Sequence, residues 1–119
     1  MEKSININDS VYNNLIINGI NQAKDKNFDK SEEIFIKAIN TDKSKSDAYI
    51  NLSNIFLLQF NEDKALSSLE SFPNNYNQNI NILNHYWKIC MNYKHKKRLL
   101  NHLKKLETER TNQFKNLYY

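Results

Sequence analysis

Four side chains in this sequence are of types that often do chemistry: three histidines, His85, His95 and His102, and one cysteine, Cys90. A histidine acts as a general base when a carboxylate orients it and a nucleophile lies within reach. No acidic residue occurs between positions 71 and 106. We therefore expect His95 and His102 to be exposed polar residues, His85 to be packed along a helix, and Cys90 to fill the core.

The patterns of metal, phosphate and disulfide sites are also missing. The cysteine and the histidines lack the spacing of a zinc site, and one cysteine cannot form an internal disulfide. A chain with one glycine cannot contain a glycine-rich phosphate loop. We expect no catalytic residue, no metal and no cofactor, and we interpret the chain as a protein that is not an enzyme.

The charge of the chain is divided unevenly along its length. Residues 1–70 carry 8 Lys/Arg against 11 Asp/Glu, whereas residues 71–119 carry 9 against 2. A basic patch follows from "KHKKRLLNHLKK", and it consists of Lys94, Lys96, Lys97, Arg98, Lys104 and Lys105. Such a helix could meet nucleic acid, an anionic membrane or an acidic partner. The alternative is a solvated outer face, and the stacking aromatics typical of single-strand binding are missing among these lysines.

Composition favours one helical domain. The 119 residues are 39% hydrophobic and 25% charged, which suits one domain with a core. One glycine and one proline are too few for the turns of a many-stranded sandwich or barrel. No stretch approaches the roughly 20 apolar residues that a membrane span needs, and the first residues do not resemble a signal peptide. We therefore expect a cytoplasmic location.

Apolar residues recur with helical spacing in six segments. The predicted helices run from about Ser10 to Lys24, from Asp29, from Ser46, from Asn61 to Pro73, from Ile80 to Tyr93, and from Lys96 to at least Leu106. At the start of the second predicted helix, the residues "DKSE" predict a capping box formed by Asp29 and Glu32. Because few residues separate the two helices of each pair, we expect three antiparallel hairpins.

The three predicted hairpins align without gaps at one constant spacing, which we call the repeat interval. At this interval Gly19 corresponds to Ser53 and Trp87, Ser31 to Ala65 and Leu99, Phe35 to Leu69 and Leu103, and Ala38 to Phe72 and Leu106. A glycine inside a helix costs about 1 kcal/mol relative to alanine. We expect Gly19 to offset this cost by allowing Ser31 and Phe35 to approach closely. Trp87 cannot do so, and the third hairpin should be splayed or repacked.

A helix-turn-helix unit that recurs every ~34 residues, as here, resembles the tetratricopeptide repeat, whose pattern is W-x2-L-G-x2-Y…A-x3-F…P. The second unit fits best, with Tyr49, Leu52, Ser53, Phe56, Ala65, Leu69 and Phe72. Asn18 and Gln22 depart from the pattern because they are polar, and Pro73 stands several residues too early. An ordinary helical bundle remains the alternative, since leucine, phenylalanine and alanine at helical spacing are common in any bundle.

The resemblance implies an all-α fold in which antiparallel helical hairpins stack as a short right-handed α-solenoid. Its units would cover residues 12–45, 46–79 and 80–113. Residues 114–119 would begin a further unit, as expected if the chain is a fragment of a longer protein or if its C-terminal face pairs with another subunit. Repeats of this kind also precede catalytic domains such as glycosyl- or sulfotransferases, which gives a further alternative by family association.

Members of the family bind extended peptides on the concave face made by the first helix of each hairpin. Here the resemblance places on that face Asn13, Ile16, Ile20, Asp47, Ile50, Asn54, Leu57, Asn81, Asn84 and Lys88. Amide side chains both donate and accept, so they can hold a peptide backbone of any sequence. The alternative is a solvated face of an asparagine-rich protein. Only Asn54 and Lys88 match the clamp with which some members hold a C-terminal carboxylate, so we do not expect one. The expected partner is a protein or peptide, with nucleic acid second.

Overall fold

The computed structural model describes residues 7–73, 79–93 and 95–118, and within these ranges it contains α-helices and no strands. The helices are α1 (Ile7–Lys24), α2 (Phe28–Thr41), α3 (Asp47–Leu58), α4 (Glu62–Glu70), α5 (Ile80–Asn92) and α6 (Lys96–Tyr118). Neighbouring helices pack against each other in chain order, most extensively α1 with α2 and α3 with α4. The prediction of an all-α protein made of helical hairpins is confirmed.

One core runs through the middle of the molecule. Buried apolar side chains of α2, α3, α4 and α5 form a continuous cluster, with Phe35, Phe56, Leu69 and Tyr86 among its members. A smaller cluster of Tyr12, Ala38 and Ala48 joins α1, α2 and the start of α3. The residues that recur at the repeat interval therefore lie mostly in the core, which explains why their spacing can be recognised in the sequence.

The two helices of a hairpin are connected by a Schellman turn. In the first hairpin the Asn27 N–H donates to the Gln22 carbonyl at 2.9 Å, and the Lys26 N–H donates to the Ala23 carbonyl at 3.0 Å. Lys26 adopts a positive φ of 62°. The second hairpin has the same bonds one repeat interval later, from Asn61 to Phe56 and from Phe60 to Leu57, and Phe60 has a φ of 60°.

Part of the same turn can be described in the third hairpin, where residue 94 lies outside the described residues. The His95 N–H donates to the Cys90 carbonyl at 3.0 Å, which is the bond of Asn27 displaced by two repeat intervals. The Leu99 N–H then donates to the His95 carbonyl, as Ser31 does to Asn27 in the first hairpin. The turn geometry thus recurs at the interval at which the side chains recur.

The capping box predicted at Asp29 and Glu32 is wrong. The helix α2 begins one residue earlier, at Phe28, so Asp29 lies inside its first turn, and the preceding Asn27 makes no side-chain cap. The Asn27 amide instead donates to the Gln22 side chain at 3.0 Å. This bond gives Gln22, which departs from the repeat pattern, a polar partner at the hairpin turn. Asparagine does cap α4 and α5, through Asn61 and Asn79.

Gly19 lies at the crossing of α1 and α2, as predicted. The Ser31 hydroxyl donates to the Gly19 carbonyl at 2.7 Å, and both residues are buried. A Cβ atom at position 19 would lie 2.5 Å from Phe35 Cε1, well inside van der Waals contact. The helix penalty of this glycine is therefore offset by close packing. Its counterpart Ser53 is also fully buried.

The third hairpin packs differently, because Trp87 fills the position of Gly19 and Ser53. The helix α6 turns a different face towards α5: His102 is only 2% exposed, whereas Leu103, the counterpart of the buried Phe35 and Leu69, is 40% exposed. The expectation of an exposed His102 is therefore wrong, and His95, at the turn, is half-buried. The backbone of α6 continues as one helix through residue 114 to Tyr118.

The helices form a flat, extended body. Its principal extents are 49 × 46 × 19 Å, and its radius of gyration is 16.7 Å. A compact domain of this length would have a radius of gyration of about 13.5 Å. The chain thus exposes two broad faces instead of enclosing itself in a globule. None of the helices within the described ranges combines the length and the apolar character needed to cross a bilayer.

Candidate interaction surfaces

The peptide-binding face that the repeat resemblance predicts is clearest on α3. The buried residues of this helix are Ala48, Tyr49, Leu52, Ser53, Ile55 and Phe56. At about 100° per residue, positions 47, 50, 54 and 57 fall on the opposite side of the helix. Asp47 and Asn54 are exposed, and Ile50 and Leu57 are half-buried against the core. This side therefore offers two polar side chains beside two partly accessible apolar ones.

The helix α1 contributes the same combination. Asn13 is exposed, whereas Ile16 and Ile20 are half-buried and pack against the core cluster that Ile50 and Leu57 also contact. The structure thus packs Ile16 and Ile20 of α1, and the predicted Ile50 and Leu57 of α3, against one core. Half-buried apolar residues beside exposed amides are suited to holding an extended backbone, because the amides can pair with peptide groups while the isoleucines contact side chains.

The helix α5 is the more polar part of this face. Asn81, Asn84 and Lys88 are all exposed, and they lie opposite the buried Ile82, Tyr86, Ile89 and Cys90. His85 stands on the same side and is half-buried. Its Nε2 atom is buried and has no hydrogen-bond partner in the described part of the chain. Burial, and secondly the charge of Lys88, lower the pKa of His85, which favours a neutral imidazole beside a cationic lysine.

The basic patch is only partly available for binding. Lys97, Lys104 and Lys105 are exposed. Arg98 is not a free cation: its Nε donates to Glu70 at 2.7 Å, and its terminal nitrogens donate to Asp63 at 3.2 Å and to Ser67 at 3.0 Å. These bonds tie α6 to α4. Lys94 and the side chain of Lys96 lie outside the described residues.

Sequence reasoning missed contacts between helices, of which the first joins α1 to α3. The Ala48 N–H donates to the buried hydroxyl of Tyr12 at 3.0 Å, so a residue of α1 caps the start of α3. Lys45 lies over the Tyr12 ring at 4.7 Å and pairs with Asp9 at 2.7 Å. Burial raises the pKa of Tyr12 to about 12. Tyr12 and Ala48 are far apart in the sequence, and a single tyrosine carries no local signal of such a contact.

The second unpredicted contact joins the last three helices. The Tyr86 hydroxyl donates to the Glu70 carboxylate at 3.0 Å, and the same carboxylate accepts the hydrogen bond from Arg98 Nε. Together with Asn101, His102 and Lys105, these residues line a cleft of about 300 Å³ between α4, α5 and α6. Arg98, one of the cations that line it, already donates to the Glu70 carboxylate of the same cleft, so the cleft does not single out an anionic ligand.

Cys90 is buried in the core, as expected, and burial raises the pKa of its thiol. In the portion of the chain that the structure describes, no three His, Cys, Asp or Glu residues are grouped so that they could hold a metal ion. Comparison with protein-family models, curated proteins and solved structures found no match to this chain. The all-α architecture and the geometry of its surfaces are therefore the basis for any functional proposal.

Proposed function

We propose that this chain is a tetratricopeptide-like interaction module that binds an extended peptide on the face made by α1, α3 and α5. One observation carries the proposal: the hairpin turns recur with the same hydrogen bonds at the repeat interval. A constant interval sets equivalent positions of the first helices in register, as in proteins that stack identical units. A cytoplasmic location belongs to the same proposal.

The character of this face supports a peptide as its ligand. Asn54 on α3 and Lys88 on α5 are exposed. Ile50, on the same helix as Asn54, is half-buried. A flat body 19 Å thick can present such a face along its whole length. By contrast, the ion pairs of Arg98 with Glu70 and Asp63 weaken the case for a nucleic acid, because they use one of the cations that phosphates would need.

The proposal can be tested with peptides selected from a random display library on the intact chain and measured by fluorescence anisotropy. Asn54→Ala/Lys88→Ala should weaken binding about tenfold or more, as expected for the loss of one or two polar contacts. The matched control is Lys37→Ala/Asn40→Ala, which makes the same substitutions at exposed positions of α2. If both double variants bind like the wild type, the face is wrongly assigned.

Salt dependence separates the peptide from the nucleic acid. Binding to phosphates through 6–10 contacts loses a factor of about 10³–10⁵ between 50 and 200 mM salt. A peptide held by amides and by Ile20, Ile50 and Leu57 should lose much less. Steep salt dependence with a single-stranded oligonucleotide, together with failure to select any peptide, would favour the basic patch instead.

A further inference from the structure

Trp87 and His102 form a hydrogen-bonded pair between α5 and α6. The indole Nε1 donates to His102 Nδ1 at 2.8 Å, and the two rings meet edge-on with centroids 6.1 Å apart. His102 is 2% exposed, and Tyr86 packs on it at a centroid distance of 5.0 Å. In the first hairpin Gly19, the counterpart of Trp87, instead accepts a hydrogen bond from Ser31 at its carbonyl, and neither of those groups titrates.

The chemistry of this bond makes it incompatible with a charged histidine. An indole N–H can only donate, so the ring nitrogen that faces it must carry a lone pair. An imidazolium has a proton on both nitrogens and therefore no lone pair to offer. Protonation of His102 must break the bond with Trp87, and it also leaves a cation against two aromatic rings in a buried site.

The surroundings of His102 are contributed by three helices. Glu70 faces it from α4, Tyr86 and Trp87 from α5, and Arg98, Lys105 and Glu109 from α6. Burial, and secondly Lys105, lower the pKa of His102, against the opposing effects of Glu109 and Glu70. Carboxylates ordinarily titrate near pH 4 and lysines above pH 10. Of the residue types in this set, histidine is therefore the one whose ordinary pKa lies between pH 5 and pH 7.

We propose that the Trp87–His102 pair is a pH-sensitive connection, and that mild acid releases α6 from α5 while the first two hairpins stay folded. The release is local because α1 to α4 pack together through their own core contacts. The third hairpin lacks the close crossing that Gly19 allows in the first. The Trp87–His102 pair holds the interface between α5 and α6 in place of that crossing, so the loss of this one hydrogen bond weakens the whole interface.

The direction of the pH effect follows from the lowered pKa of His102. In the unfolded or released state the imidazole takes up a proton at its ordinary pKa of about 6.5. In the packed state it does so only at lower pH. The stabilisation is thus fully present above about pH 6.5 and is lost as the pH falls from there towards the lowered pKa.

Trp87 is the one tryptophan of the chain, so its fluorescence reports on this seam alone. In the full chain, we expect its emission to shift to longer wavelength between pH 7.5 and pH 5, while the far-ultraviolet circular dichroism is retained. His102→Gln keeps an acceptor oxygen but cannot be protonated, so its emission should stay constant. His85→Gln is the matched control and should titrate like the wild type. A wild-type emission that does not change, or a His102→Gln transition equal to that of the wild type, would overturn the proposal.

A second measurement needs no substitution. In isotope-labelled wild type, the indole N–H resonance of Trp87 should lose its hydrogen-bonded chemical shift at the same pH midpoint as the ring titration of His102. An indole resonance that passes unchanged through the His102 midpoint would show that the bond survives protonation and that the proposal is wrong.

Discussion

The missing side chain of Gly19 allows α1 and α2 to cross in contact. The Ser31 hydroxyl reaches the backbone carbonyl of position 19, and the Phe35 ring occupies the space where a Cβ would stand. Two terms compete when this glycine is replaced. Alanine improves helix propensity by about 1 kcal/mol, whereas overpacking a buried crossing costs about 1–3 kcal/mol. The steric term should win, because the ring that would have to move is itself 1% exposed.

We therefore predict that Gly19→Ala lowers the free energy of unfolding by about 1 kcal/mol, the overpacking cost less the gain in helix propensity, measured by urea denaturation. The neighbouring Asn18→Ala is the control, since Asn18 is exposed on the same helix and gains propensity without a clash. A Gly19→Ala variant as stable as Asn18→Ala would show that the crossing relaxes freely, contrary to this account.

At the scale of the elements, the hairpin turns carry an avoidable cost. Lys26 and Phe60 occupy the left-handed position at the end of the first helix of their hairpins, where glycine is the favoured residue. A non-glycine residue in this conformation costs roughly 1–2 kcal/mol. Phe60 is 88% exposed, so its ring returns little of that cost through packing.

Phe60→Gly should accordingly raise the free energy of unfolding by about 1 kcal/mol, seen as a higher midpoint of thermal unfolding. Phe60→Ala removes the same exposed ring but keeps the backbone strain, and it should leave the midpoint nearly unchanged. Equal stabilisation by both substitutions would assign the effect to the ring and not to the backbone.

The helices and their pairing in hairpins could be predicted from the sequence because their signals are local, whereas the Schellman turns at Lys26 and Phe60 were not predicted. The position of Gly19 against Phe35, and the exposure of Asn13 and Asn54, follow from helical phase. The contact of Tyr12 with Ala48, and that of Arg98 with Glu70, could not be predicted, since they join residues 36 and 28 positions apart.

His102 was predicted to be exposed because no acidic neighbour in the sequence could orient it, and that argument does not consider how α6 packs on α5. The face that α6 turns to α5 depends on how Trp87 packs, and a repeat pattern assumes the same face in every unit. A tryptophan at the position of Gly19 and Ser53 was itself a signal that this assumption would fail.

For the whole molecule, the consequence is an uneven distribution of stability. The third hairpin, α5 and α6, joins the rest of the molecule through α3 and α4. The Glu70 carboxylate of α4 accepts hydrogen bonds from both Tyr86 and Arg98. Arg98 keeps 28% of its side chain exposed, so its ion pairs are partly screened by solvent. Proteins built from successive units can lose an end unit before the remainder unfolds.

We predict that Arg98→Met weakens the attachment of the third hairpin by about 1 kcal/mol. In urea, the transition followed by Trp87 fluorescence should then precede the transition followed by circular dichroism. Lys97→Met removes an exposed cation from the same helix and should keep the two transitions as they are in the wild type. Coincident transitions in Arg98→Met would mean that the third hairpin unfolds with the rest whether or not this ion pair is present.

The burial of Cys90 also makes local opening measurable by a simple reaction. The chain has one thiol, which is 1% exposed in α5. A thiol reagent can modify it only during moments when α5 separates from its neighbours, so the modification rate reports how often that opening occurs. The unaltered protein thus contains its own chemical probe of how its last hairpin opens.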